Sequence, residues 1–419
     1  MSHAPRPSPL PAVLAFVFVN SLGTGAVTLG IFFLAKSRFG LDAQSTFLLG
    51  TLIGLTYIPG AVAIGPALRR ITARYRSLNA RTVLAATTAM LGLICFLPAI
   101  VVGPTGTDRG QWALWVFVML YAPLSGMLWP IAESYVSGGR TGRQLRRAVG
   151  RFNIVWSTAV VLSFWAMAPL VQSRPLDVLT LLGFTHLAAL ALLIPMGREP
   201  GRRIPEQREP HPPVYTRLLT VFRFQLPASY VVISALAPFL PFALIRLDVD
   251  LEWALPVASA WTLSRLATFA LMERWHGWHG RWWLFFATAV LMLAGFALCL
   301  IASAIGGRQN LPLLIAGLAS CGIGIGGIYT AAFYYVMEVA DATVAAGGSH
   351  ETLIGLGYTA GPALGMLAVI IAQSRPEAES TTFEPIMLAL VSATVLALAA
   401  IAFALACRHA RNSNTHTNT

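Results

Sequence analysis

Apolar residues along this chain gather into runs of about twenty or more, and the segments between them are short and rich in Arg, Gly and Pro. A helix rising about 1.5 Å per residue needs about that length to cross the hydrocarbon of a bilayer. The runs predict twelve transmembrane helices, at roughly 11–35, 45–68, 82–102, 112–136, 151–172, 177–196, 224–246, 252–273, 281–305, 311–337, 351–373 and 385–407, give or take a few residues at each end. One longer polar stretch, GREPGRRIPEQREPHPPVYTR, falls between the sixth and seventh runs and reads as a solvated linker between two six-helix halves. The expected divisions are a first bundle over 1–196, a linker over 197–223, a second bundle over 224–407 and a disordered tail over 408–419.

A faint internal repeat supports the two halves. Gly126, Trp129, Ala132, Tyr135 and Val136, in the stretch GMLWPIAESYV, are echoed two hundred residues later by Gly326, Tyr329, Ala332, Tyr335 and Val336. The expected fold class is an all-α membrane protein, with twelve transmembrane helices in two pseudo-symmetric six-helix bundles. Composition agrees: 56% of residues are hydrophobic and 11% charged, with a mean hydropathy of +0.68, unlike a soluble surface. The opening MSHAPRPSPL is polar and the apolar run after it is too long for a secretory h-region, so no cleaved signal is expected. Cys95, Cys299, Cys321 and Cys407 sit in or beside apolar runs without CxxC spacing and read as packing residues.

The net charge of +12 would in a soluble protein point to nucleic acid, so its placement matters. With the N-terminus in the cytoplasm, 21 of the 29 Lys and Arg fall on the cytoplasmic side, 7 on the other, and Arg265 within a helix. The positive-inside rule then places both termini in the cytoplasm. The charge is topological, and no nucleic-acid partner is expected.

Ionisable residues inside a span are costly enough to be functional suspects. Arg265 lies near the middle of predicted helix eight, with Trp261, Thr262, Thr268 and Glu273 along its face. It suits an anionic substrate group or a switching ion pair, with snorkelling or helix capping as the plain alternative. Glu133 ends a stripe of Tyr121, Ser125, Trp129 and Glu133, each four residues from the last and so on one helical face. It reads as a gate residue or a proton-coupling carboxylate. His186, at the centre of predicted helix six, reads as a hydrogen-bonded structural histidine.

The loop after predicted helix two reads Gly65-Pro66-Ala67-Leu68-Arg69-Arg70-Ile71-Thr72-Ala73-Arg74, and the one after helix eight Leu271-Met272-Glu273-Arg274-Trp275-His276-Gly277. Twelve helices in two halves, a long central loop, basic loops after helices two and four and an internal echo resemble the major facilitator superfamily. The first loop is a degenerate form of that family's Gly-x-x-x-Asp-Arg-x-Gly-Arg-Arg motif, in which Gly65 matches and Arg69 stands in place of Asp. The resemblance implies two bundles rocking about a central cavity and opening to each side in turn. By the same analogy, the acid of each loop faces the start of a helix in the other half. Two crossed pairs are therefore expected to latch the cytoplasmic side, Arg69 with Glu351 and Glu273 with Arg151.

The resemblance also implies cavity-lining helices, and their polar and aromatic faces supply the candidates: Asn20, Thr24 and Thr28; Tyr121, Ser125 and Trp129; Asn153, Trp156 and Ser157; Trp261 and Arg265; Tyr329, Thr330 and Tyr334; and Tyr358. Such faces suit a small polar or amphipathic organic solute such as a sugar, nucleoside or drug-like molecule. Gly355, Gly357, Gly361, Pro362 and Gly365 on predicted helix eleven resemble a Gly-Pro motif that drug antiporters of the superfamily carry on helix five, and helix five here lacks it.

The sequence reading is a secondary active transporter moving a small organic solute, with a coupling proton left open, as a monomer in a plasma or bacterial inner membrane. A membrane enzyme would need reactive groups gathered at one depth, and neither His276 with His279 nor His350 with Glu351 makes a three-ligand set. No Gly-Lys phosphate motif for ATP is found, and no cofactor or metal is expected. A sensor or scaffold that kept a transporter fold is the other alternative.

Overall fold

The long runs form helices, and several begin on side chains that satisfy the free N–H groups of a first turn. In the computed structural model, which describes residues 7–75, 77–102, 110–201, 211–339, 343–374 and 383–415, there is no strand among the described residues. The first half comprises α1 (Leu10–Phe39), α2 (Ala43–Arg74), α3 (Ala80–Val102), α4 (Gln111–Ser137), α5 (Gly142–Ser173) and α6 (Pro175–Leu193). The second comprises α7 (Val214–Arg246), α8, α9 (Trp283–Ile305), α10 (Leu311–Val339), α11 (Val344–Gln373) and α12 (Phe383–Arg408). Of these, α8 is built from two pieces, Leu251–Ala258 and Ala260–Arg274. Among the described residues, eleven helices are each long and apolar enough to cross a bilayer. The twelfth is α8, bent after Pro256 at Ser259, whose hydroxyl donates to Pro256 O at 2.6 Å.

Caps fix several entries. Asp42 accepts from Ser45 N at 2.7 Å at the start of α2, and this backbone hydrogen bond holds its carboxyl below the usual range. Asn79 and Thr82 form a reciprocal capping box on α3. Arg140 closes the other end of α4, donating to Tyr135 O and Val136 O, each at 2.9 Å, and to Ser8 O at 2.6 Å. Burial pulls the pKa of its guanidinium down.

Helix ends differ from the sequence reading: α2 runs on to Arg74, through the expected loop, and three helices start early, α5 at Gly142, α7 at Val214 and α11 at Val344. Their first turns are too polar to be hydrocarbon-spanning, so apolar length alone stopped short of them. Arg69, Arg70 and Arg74 of α2 and Arg143, Arg146 and Arg147 of α5 are thus helical rather than loop residues. Part of the expected linker, 202–210, and the tail from 416 lie outside the described residues, whereas the backbone helix of α12 continues to Thr415 through a segment expected to be unstructured.

The internal echo has a structural counterpart. A Cβ on Gly126 of α4 would lie 3.1 Å from Ala61 N of α2, and one on Gly326 of α10 would lie 3.0 Å from Thr268 Cβ of α8. In each half the same glycine lets the equivalent pair of helices approach closely.

The two halves meet at both ends of the bundle. At the end carrying the Arg-rich segments, called here the basic end, Phe152 of α5 meets Phe333 of α10 with ring centroids 5.4 Å apart, and Gly347 of α11 lies against Pro130 and Glu133 of α4. At the far end Trp165 Nε1 of α5 donates to Ser259 Oγ of α8 at 3.1 Å, and Lys36 Nζ of α1 sits 4.7 Å from the Phe242 ring centre of α7. The conformation is closed over its centre from both sides.

Candidate functional site

Between these closures lies a narrow central cavity of about 90 Å³. Thr24, Thr28, Tyr121, Ser125, Trp129, Trp156, Trp261, Arg265, Tyr329 and Tyr358 line it, together with Tyr57, Phe152, Tyr230, Ser234 and Glu351. A π-helical turn over Ala26–Gly30 interrupts α1 where it borders the cavity. It presents Thr28 there, with its hydroxyl tied to Thr24 O at 2.6 Å.

Arg265 is the chemical centre of this wall. Its guanidinium carbon lies 4.2 Å from the ring centre of Trp156 on α5 and 4.4 Å from that of Trp261, one turn back on α8. The residue is 3% exposed, makes no hydrogen bond or ion pair among the described residues, and leaves Nε without a partner. Trp261 Nε1 is also unpartnered. Two buried donors therefore stand side by side without an acceptor, and each unmet donor costs about 1–3 kcal/mol. Neighbouring rings make the wall strongly aromatic: Trp156 is 5.3 Å from Tyr329, and Tyr358 is 5.1 Å from Tyr230 and 6.0 Å from Tyr57.

Asn20 was expected in the cavity and is elsewhere. It is buried against α6, where its Oδ1 is 2.9 Å from His186 Nδ1 while its Nδ2 donates to Phe16 O at 2.9 Å. Since the Asn20 amide nitrogen is engaged, its oxygen accepts from His186 Nδ1–H. His186 Nε2 then accepts from the Tyr121 hydroxyl at 3.0 Å. His186 is thereby a fully bonded structural residue that fixes Tyr121, a cavity-lining ring.

The stripe on α4 continues from the cavity to a second group toward the basic end. Glu133 is 0% exposed, His350 1% and Glu351 5%, and one nitrogen or oxygen from each lies within 4.8 Å of the other two. Among the described residues both His350 ring nitrogens lack a hydrogen-bond partner and Glu133 has none but the Glu351 carboxyl beside it, while Glu351 accepts from the Tyr57 hydroxyl. The rings of Tyr329 and Phe333 cover His350 at 5.5 and 5.3 Å. The sequence reading gave His350 and Glu351 no third ligand-type partner, and Glu133 corrects that: the three could hold a proton or another cation.

The expected crossed latch is not formed. Arg69 and Arg151 are exposed, and neither Arg69 with Glu351 nor Glu273 with Arg151 is an ion pair. The cause is the early start of α5 and α11. Glu351 lies two turns inside α11, facing Tyr57 and Glu133, and Arg151 lies past two turns of α5, while Glu273 packs against Gly150. Tyr57, Tyr230 and Ser234 were missed as cavity residues, and His350 as a neighbour of Glu133.

An all-helical membrane fold of two six-helix halves closed over a central, largely aromatic cavity defines a transporter architecture. The profile of the Major Facilitator Superfamily matches residues 13–362, and the chain belongs to that superfamily of membrane transporters. Its fold is similar to the crystal structure of the nucleoside transporter NupG, with 12% identity and a TM-score of 0.59, covering 94% of this chain and 98% of that one. It is equally similar to a point mutant of NupG, with 14% identity, a TM-score of 0.60 and the same coverage. No curated protein matches the chain.

Proposed function

We propose that this transporter carries a small solute with a flat aromatic ring and acceptor oxygens by alternating access, and that a proton is its coupling ion. The observation carrying the solute reading is Arg265, buried between Trp156 and Trp261 with no acceptor of its own. A guanidinium in that setting favours a carbonyl, hydroxyl or carboxylate oxygen, and the surrounding rings offer faces on which a flat solute stacks. The name of the structural neighbour NupG makes nucleosides the first solutes to test. With both termini in the cytoplasm, as the distribution of Arg favours, the basic end is the cytoplasmic gate.

The coupling reading rests on Glu133 and Glu351, one from each half, which lie together where the basic end is closed. Two bare carboxylates at this distance in apolar surroundings repel strongly, and neither has a Lys or Arg partner. The groups facing them are Tyr57 from α2, Tyr329 from α10 and His350 from α11. A proton shared by the pair is compatible with the closed gate, and its loss drives the halves apart there.

Uptake by proteoliposomes of the purified chain tests the reading with uridine, adenosine, benzoate and glucose, each with and without an imposed pH gradient. Uridine, adenosine or benzoate is expected to accumulate, and more so with the gradient. Flux of glucose alone would overturn the solute reading, gradient-independent accumulation the proton reading, and absence of any flux would favour a sensor.

A further inference from the structure

A second cavity lies at the basic end, away from the central one and sharing no residue with it. Arg143, Arg146 and Arg147 of α5, Glu273 of α8, and His276 and His279 of the α8–α9 loop line about 410 Å³ of space. None of the three arginine side chains forms a hydrogen bond or ion pair among the described residues, and neither does the Glu273 carboxylate. The three cations occupy the first two turns of α5, which has no acid in its first turn and no side-chain hydrogen bond from its N-cap residue, Thr141. Cations at this end of a helix oppose its dipole, and three guanidiniums round one space repel each other. One carboxylate does not balance them.

We propose that this cavity binds a tetrahedral oxyanion, the phosphate group of an anionic lipid headgroup or of a soluble phosphate compound. Guanidinium forks match its oxygens in pairs, and its charge answers both the arginines and the start of α5. Because α5 belongs to the first half and the α8–α9 loop to the second, a bound anion bridges the halves and stabilises the closed basic end.

His279 gives the site a pH signature. Its ring stacks on Tyr334 of α10 at 4.5 Å, with His276 at 5.3 Å, Trp278 at 4.1 Å, and Arg146 and Glu273 across the cavity. Burial first, then the neighbouring His276 and Arg146, pull its pKa down to about 4, so the empty site keeps it neutral. An anion favours the protonated ring, and binding therefore tightens as pH falls.

Calorimetric titration of the full chain in uncharged detergent with sodium sulfate, against sodium chloride at matched ionic strength, tests the site. Sulfate keeps its charge across the range and reports the protein's protons alone. Sulfate is expected to bind more tightly than chloride, to bind severalfold more tightly at about pH 5 than at about pH 7, and to lose much of this dependence in His279→Gln. The double substitution Arg146→Gln with Arg147→Gln is expected to weaken it about tenfold or more, and Glu273→Gln to strengthen it. In nanodiscs, loss of sulfate binding when phosphatidylglycerol replaces phosphatidylcholine assigns the site to a headgroup, and retention assigns it to a soluble phosphate. Sulfate binding no better than chloride, or unchanged in the arginine double variant, overturns the proposal.

Discussion

Exchanging Arg265 for Gln is expected to weaken solute binding by about 1.5–3 kcal/mol, or about 10- to 150-fold, the loss typical of one charged hydrogen bond. Arg265 is buried between two Trp rings and has no counter-ion among the described residues, so the ring faces offset its burial only in part. Removing it should therefore leave thermal stability unchanged or raise it while binding falls. A snorkelling or helix-capping arginine would behave in the opposite way, losing stability and keeping affinity. Arg265→Lys keeps the charge but not the flat group that lies against Trp156 and Trp261, and is expected to recover only part of the affinity. Tryptophan fluorescence titration with uridine and benzoate, paired with melting curves, reads both quantities. Unchanged affinity in Arg265→Gln for every solute that the wild type binds would remove Arg265 from the site.

Glu133→Gln or Glu351→Gln should abolish accumulation driven by a pH gradient while leaving solute exchange across the membrane within a few-fold of wild type. Glutamine has the shape of a protonated glutamate and cannot release the proton, so the halves can still close at the basic end but no longer take a proton through the cycle. Each single substitution removes the pair, so the double should be no worse than either single. Restored gradient-driven accumulation in the double, or loss of exchange together with accumulation in the singles, would show that the carboxylates serve some other purpose, such as binding solute directly.

The helices were legible in the sequence because the bilayer imposes a length, and apolar runs of that length are rare outside a membrane. Their polar first turns were not. Arg143 and Val344 lie inside helices whose starts carry no apolar signal, and that misplacement generated the crossed latch through Arg69 and Arg151. Much of the cavity was legible from helical spacing, as with Tyr121, Ser125 and Trp129 on α4. Spacing alone could not tell which side of α1 faces the cavity, so Asn20 was grouped with Thr24 although it turns to His186. Tyr57 and Tyr230 lie on α2 and α7, helices with internal prolines at Pro59 and Pro66 and at Pro227, Pro238 and Pro241, where a regular face is hard to project. The approach of Glu133 to Glu351 is a contact between halves, and no local pattern encodes it.

Alternating access is tested most directly by measuring both ends of the same protein. Spin labels at Arg147→Cys and Arg274→Cys span the halves at the basic end, and labels at Ser37→Cys and Ile245→Cys span them at the far end; all four positions are exposed. Pulsed electron resonance in nanodiscs, at low and high pH and with uridine or benzoate added, gives the two distance distributions. The expected result is that each pair has a short and a long population, that conditions which lengthen one shorten the other, and that high pH lengthens the basic-end distance. Two distances that stay fixed under every condition, or that lengthen together, would contradict alternating access in this protein.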